Sequence, residues 1–351
     1  MPGDDPGSPA APSSPAPVPG WPVPTSPEGP AKPPRPPGRF WPAIARLLLF
    51  VVVAVVLSLA FAFVLTAVPG LDDNDLALGS LVLLPAAAGA TALMLTVADM
   101  RPSSAIGLPM NGLALQHVAF GTVAGAGLSV SIIGLQWAVG LVEIQYGALE
   151  GSLTEVMWAP SLGAGFLVIA SAASAEELLF RGYGLQQLMR ATHPWAAMIL
   201  SSVVFGLVHA TNPNSSTVGI VNTALFGVLF GLPLLRQRSL WMPAGMHFGW
   251  NFSLACMGAN VSGLTIRLTG MEVVPVGPAM WSGAEYGPEA SLLTSFAVVA
   301  AGMLLWRMPL RANEEPVLWD PEPHSGGSET QSTGNAALSH PGNQVQGERK
   351  P

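Results

Sequence analysis

Long apolar runs, separated by short polar stretches, fill the chain from Leu47 to Trp306. Eight of them read as spanning segments: Leu47–Val68, Leu76–Ala98, His117–Leu141, Leu162–Leu188, Trp195–His209, Val218–Leu235, Leu240–Met257 and Ala290–Trp306. A helix of about 20 apolar residues crosses the ~30 Å of hydrocarbon in a bilayer, and most of the runs are near that length. The fifth, at about fifteen residues, is short enough to be tucked inside the bundle. The runs are continuous rather than alternating, which argues against a β-barrel. The pattern predicts an all-α, polytopic membrane helix bundle with about eight transmembrane helices.

The flanks read differently. Residues 1–38 hold 15 prolines among Gly, Ser and Ala, so they cannot build a core and are expected to be a disordered cytoplasmic tail. That tail is not read as a signal peptide, because the first apolar run begins only after Trp41 and is about twice as long as a signal h-region. Residues 312–351 are polar, contain Gly, Ser and Pro, and are expected to be a second disordered tail. The transmembrane domain is then 39–311, bounded by these two.

Composition and charge sharpen the picture. Only 10% of the 351 residues are charged, against about 25% in soluble domains. With an amino terminus in the cytoplasm, Lys32, Arg35, Arg39, Arg46, Arg101, Arg190, Arg236, Arg238, Arg307 and Arg311 all fall inside. Of the basic residues outside the spans, Arg267 alone falls outside, among the acids Asp72, Asp73, Asp75, Glu143, Glu272, Glu285 and Glu289. This split predicts a multi-pass protein of the plasma membrane with both termini cytoplasmic. The lack of a basic cluster leaves no support for nucleic-acid binding. The single cysteine, Cys256, excludes an intrachain disulfide or a Cys-based zinc site and reads as a packing residue.

Polar groups inside the spans carry the candidate chemistry, because a charge in hydrocarbon costs at least ~2.5–3.5 kcal/mol. The fourth span holds Glu176, Glu177 and Arg181. Glu177 and Arg181 are four apart, share a helix face and can pair. Glu176 points about 100° away, with no local partner. A carboxylate so placed suits a general acid or base; the plainer reading is one ion network that fixes helix packing. The fifth span ends in Phe205-Gly206-Leu207-Val208-His209. Descending about sixteen residues from Glu176 (~24 Å) and returning fourteen (~21 Å) brings His209 back to the level of Glu176. The seventh span carries His247 and Asn251 on one face, beside Ala244, Gly245 and Gly249, which permit close helix approach. These two can be interhelical glue or donors to an oxyanion.

Two glutamates, two histidines, an arginine and an asparagine support hydrolysis by an activated water. Zinc held by Glu176, His209 and His247 is one form of that chemistry, although the His-Glu-x-x-His spacing is absent. No pair of membrane aspartates, no Gly-x-Ser-x-Gly and no serine poised beside a histidine supports another protease class.

Glu176-Glu177-x-x-x-Arg181, Phe205-x-x-x-His209 and His247-x-x-x-Asn251, in that order, resemble the three-motif signature of the CAAX-protease and bacteriocin-processing (CPBP, or Abi) family, which includes the type II CAAX prenyl endopeptidases. The resemblance covers roughly residues 160–257. It implies an eight-helix membrane peptidase in which Glu176 and His209 activate water. His247 and Asn251 would form the oxyanion site, and Glu177 with Arg181 would hold the helix and base in place. It leaves metallo- and glutamate-dependent mechanisms both open. It implies a membrane-associated protein or peptide substrate, not necessarily prenylated, and a site opening toward the cytoplasm, on which side the basic flank around Arg190 also lies. Two other readings compete: a non-catalytic membrane scaffold or bacteriocin-immunity protein of the same fold, and a transporter using the glutamates as a proton relay. No internal repeat supports the latter.

Overall fold

The computed structural model describes residues 40–66, 76–147 and 158–320. The disorder expected for residues 1–38 and for 321–351 concerns positions outside these. Ten α-helices appear among the described residues: α1 (Phe40–Thr66), α2 (Leu76–Leu93), α3 (Gly112–Ala138), α4 (Trp158–Phe180), α5 (Tyr183–Ala191), α6 (Pro194–Val208), α7 (Thr217–Gln237), α8 (Trp241–Met257), the single turn α9 (Ala279–Ser282) and α10 (Leu292–Arg307). Each of the eight apolar runs is helical, and the protein is a membrane helix bundle. Among the described residues six helical segments are long and apolar enough to cross a bilayer. The other two, α8 and α10, are shorter, at 17 and 16 residues.

Helix starts follow from local chemistry. Asn111, Ser216 and Ser291 accept the N–H groups of Ala114, Gly219 and Thr294, at 3.1, 3.1 and 3.2 Å, capping α3, α7 and α10. Each side-chain oxygen satisfies a donor that the first turn of a helix leaves free.

Two expectations change. The fourth run is not one helix: the N–H groups of Arg181 and Gly182 both donate to the Glu177 carbonyl (2.8 and 2.9 Å), and the chain turns before resuming as α5. A Cβ at Gly182 would strike the Leu178 carbonyl, so the turn needs glycine there. The fifth run, α6, lies at the perimeter, with Ile199, Leu200, Val203, Val204, Leu207 and Val208 exposed. Among the six candidate spans α7 is the most enclosed, burying Asn222, Phe226, Leu229 and Phe230.

At the centre of the bundle α3 crosses α8 at minimal distance. A Cβ on Gly121 or Gly125 would run into the Met242 or Met246 carbonyl, and one on Gly245 or Gly249 into that of Val118 or Thr122. Reciprocal glycines of this kind let two backbones touch where no hydrophobic force drives helices together. They fix the height and rotation of α8.

The two ends of the bundle are closed differently. At the face where Phe40 and Arg307 lie, residues 312–320 do not begin a disordered tail. Val317 and Leu318 are buried, Leu318 N–H donates to the Ala105 carbonyl (2.7 Å), and Asn313 N–H to that of Gln237 (2.8 Å). Two apolar side chains and a run of backbone bonds hold this strap under the helix ends. At the opposite face a two-stranded antiparallel sheet joins β1 (Val142–Tyr146) to β2 (Met271–Pro275), with Val142 opposite Pro275 and Tyr146 opposite Met271. It ties the outer ends of α3 and α8 together.

Candidate active site

Three elements bring the polar residues together: the last turn of α4, the end of α6 and the middle of α8. Glu177 and Arg181 pair one helical turn apart at 2.9 Å, with side chains only 1% and 2% exposed. The guanidinium lies over the Phe205 ring, 4.1 Å from its centroid. An arginine desolvated over an aromatic face gains ~2 kcal/mol or more, so a carboxylate and a ring together compensate its burial.

Glu177 also orients a histidine. Its Oε1 accepts the Nδ1–H of His247 at 2.9 Å, and Phe230 stacks on that imidazole with centroids 5.0 Å apart. His209 is set in the same manner: its Nδ1–H donates to the Phe205 carbonyl at 2.8 Å, and the Phe205 ring packs edge-on against it at 4.6 Å. A carbonyl and an arginine-paired carboxylate can only accept, so both histidines are donors at Nδ1 and, when neutral, carry a bare lone pair at Nε2.

Both Nε2 atoms face Glu176. Its Oε2 lies 3.8 Å from Nε2 of His209 and 3.7 Å from Nε2 of His247. That oxygen is buried and accepts no hydrogen bond from the described residues. Three acceptor atoms therefore converge on one point, an arrangement that favours a species able to donate there, such as water or a proton. With both histidines neutral, two carboxylates and one guanidinium sum to a charge of −1.

The donor types of Glu176, His209 and His247 suit zinc. Glu176 Oε2 stands 3.8 and 3.7 Å from the two Nε2 atoms, where donors of a tetrahedral zinc site with bonds of ~2.0–2.1 Å would be about 3.3 Å apart. Among the described residues no three His, Cys, Asp or Glu side chains are gathered to hold a metal ion.

Asn251, one turn beyond His247, lines the same cavity of about 380 Å³ as Glu176, His209 and His247. The remaining walls are mostly apolar: Leu83 of α2, Val168, Ile169 and Ala172 of α4, and Val261, Leu264 and Ile266 of the segment after α8. Leu179 and Phe180 of α4, Val208 of α6, Asn212 and Ser262 complete it, and Asn212 Nδ2 donates to the Ser262 carbonyl at 2.9 Å. Asn212 and residues 261–266 belong to connections at the face opposite Phe40 and Arg307. Toward the other, basic face the chain below Glu177 folds back into buried α5.

Sequence reading missed Glu289, taken there as an outer-loop acid. Its side chain is 5% exposed and joins two parts of the site. Oε1 accepts Trp250 Nε1–H at 2.8 Å, and Oε2 accepts the Ser262 hydroxyl at 2.7 Å and the Ser262 N–H. No local pattern around Glu289 signals this, since its partners lie 39 and 27 residues away. Phe205 and Phe230 were also without a role in the sequence; the Phe205-x-x-x-His209 spacing is explained by the carbonyl and ring contacts above.

Residues 158–253 match the family model of the type II CAAX prenyl endopeptidases, Rce1-like. That is the family which the three motifs resemble, and the matched segment contains all of them. It supports a CAAX-type membrane protease as the kind of protein. A stretch of 210 residues is 23% identical to the uncharacterized protein YyaK of Bacillus subtilis (strain 168), covering 59% of this chain and 67% of that protein. No solved structure matches.

Proposed function

We propose that the protein is an intramembrane endopeptidase that hydrolyses a peptide bond of a membrane-associated protein or peptide with a water activated by Glu176 and His209. The observation that carries this reading is the convergence of Glu176 Oε2 with the Nε2 atoms of two oriented histidines in a largely apolar cavity.

A water donating to Glu176 Oε2 and His209 Nε2 loses one proton to that pair as its oxygen attacks the scissile carbonyl carbon. The carbonyl π electrons move to oxygen and form a tetrahedral oxyanion. His247, entering the reaction as the imidazolium with its Nδ1–H held by Glu177, donates its Nε2–H to that oxyanion, as does the Asn251 amide. Donors of this kind contribute ~3–4 kcal/mol each. Collapse expels the amine, which takes up the proton held by Glu176 or His209. Glu177 and Arg181 touch no reacting atom; they position His247 and the last turn of α4. No step here needs a metal. Metal content of the purified wild type and of His209→Ala tests that: zinc near one per chain, lost in the variant, would reassign Glu176 and both histidines as ligands.

Orientation follows the basic residues. The face of Phe40 and Arg307 carries Arg46, Arg101, Arg190, Arg236, Arg238 and Arg311, and belongs in the cytoplasm of a cell whose plasma membrane holds the protein.

The test is cleavage by Glu176→Gln, which keeps shape but cannot take a proton. Loss of cleavage at equal protein level supports the proposal. Full retention of cleavage would remove Glu176 as the base, whereas a cellular phenotype kept by Glu176→Gln with no cleavage by either protein would leave the scaffold or immunity reading in its place.

A further inference from the structure

The cavity is asymmetric along the bundle. Helix α6 ends at Val208, and at 15 residues it spans only about 22 Å. His209 is therefore set at the end of its helix, directly before the connection to α7. The connections 209–216 and 258–266 pack on each other: Asn212 reaches the Ser262 carbonyl, and a Cβ on Gly263 would strike the Pro213 carbonyl. Together they supply Asn212, Val261, Ser262, Leu264 and Ile266 to the cavity wall. Toward the other face, Arg181, Tyr183, Gln186, Gln187 and Met189 are all buried and fill the space below Glu177. Gln186 is locked to the Ile106 carbonyl (2.9 Å), and Tyr183 and Arg190 to Asp99 (2.5 and 3.0 Å). Among the described residues no connection from that face lines the cavity. The plugged face is the one that carries the arginines.

We infer that the catalytic cavity is reached from the extracytoplasmic side, and that the substrates are exported or membrane-anchored polypeptides whose scissile bond lies at the outer leaflet. The apolar walls suit an extended, apolar segment of such a chain, with Asn212, Ser262 and the site residues as its polar contacts. This rests on the peptidase reading for the word substrate and on the arginine asymmetry for the side; the access path itself rests on neither.

Site-directed labelling separates these elements. In a Cys256→Ser background, Leu264→Cys places a thiol in the cavity wall, Thr265→Cys one on the exposed side of the same connection, and Glu315→Cys one at the opposite face. Intact spheroplasts are treated with a membrane-impermeant maleimide, before and after permeabilisation. The inference expects positions 264 and 265 to label in intact spheroplasts, and position 315 only once they are permeabilised. Position 315 labelling first, with 264 and 265 protected, would overturn it by reversing the orientation. Position 265 labelling while 264 stays unlabelled in both conditions would overturn it by closing the cavity to water from that side. None of these readouts depends on cleavage, so failure of the peptidase reading, seen as identical polypeptide termini in cells with the wild type and with Glu176→Gln, is recorded separately.

Discussion

Arg181 shows how a single charge is kept inside this bundle. It has a carboxylate at 2.9 Å and a phenyl face at 4.1 Å, and its partner Glu177 also braces His247. Removing one member of a buried pair costs ~3–5 kcal/mol, because the other is left uncompensated. Arg181→Ala should therefore lower stability by about that amount in detergent-solubilised protein, read by thermal unfolding. Glu289 offers a quieter case. Glu289→Gln would turn an amide group toward donors it cannot accept, either at Trp250 or at Ser262, at a cost of about 1–3 kcal/mol. Because Ser262 lines the cavity, cleavage should fall together with the melting temperature; unchanged activity would mean that the connection after α8 does not need this anchor. Local spacing made the Glu177–Arg181 pair legible, since four residues are one helical turn. It could not show Glu289, whose partners are joined only by the fold.

At the scale of elements, the α3–α8 crossing sets the height of His247 and Asn251. Any side chain at Gly249 meets the Thr122 backbone, whereas Gly127 has open space around it. Gly249→Ala should destabilise by ~1–3 kcal/mol through overpacking and displace His247. Gly127→Ala should be neutral or slightly stabilising, because alanine is the better helix former by up to about 1 kcal/mol. Equal behaviour of the two variants in thermal unfolding would contradict the crossing. The sequence showed the small residues on α8 but not their partners Gly121 and Gly125, because a run of glycines and alanines in α3 does not say which of them touch. The sheet was hidden for a similar reason: β1 and β2 lie more than a hundred residues apart, each only five residues long. The break between α4 and α5 was hidden too, because an apolar run with Gly182 in its interior reads equally well as one long helix.

Over the whole molecule, hydropathy gave the helices and their order because membrane solvation dictates both. The antiparallel hairpin estimate for α4 and α6 placed His209 level with Glu176, and the structure sets them 3.8 Å apart. What hydropathy could not give was the end of the bundle at which the cavity lies. That depends on how far short α6 stops and on which connections fold over it. Nor could it separate residues 312–320 from a free tail, since Val317 and Leu318 are too short an apolar stretch to stand out and the strap's other anchors are backbone bonds and the Arg238–Asp320 pair.

The central claim is that Glu176 acts as the base of a peptidase, and it is tested without knowing the substrate. Free amino termini of membrane and secreted polypeptides would be compared between cells producing the wild type and cells producing Glu176→Gln at equal abundance. The account expects a set of new termini with the wild type that is absent with the variant. The same termini in both would contradict it.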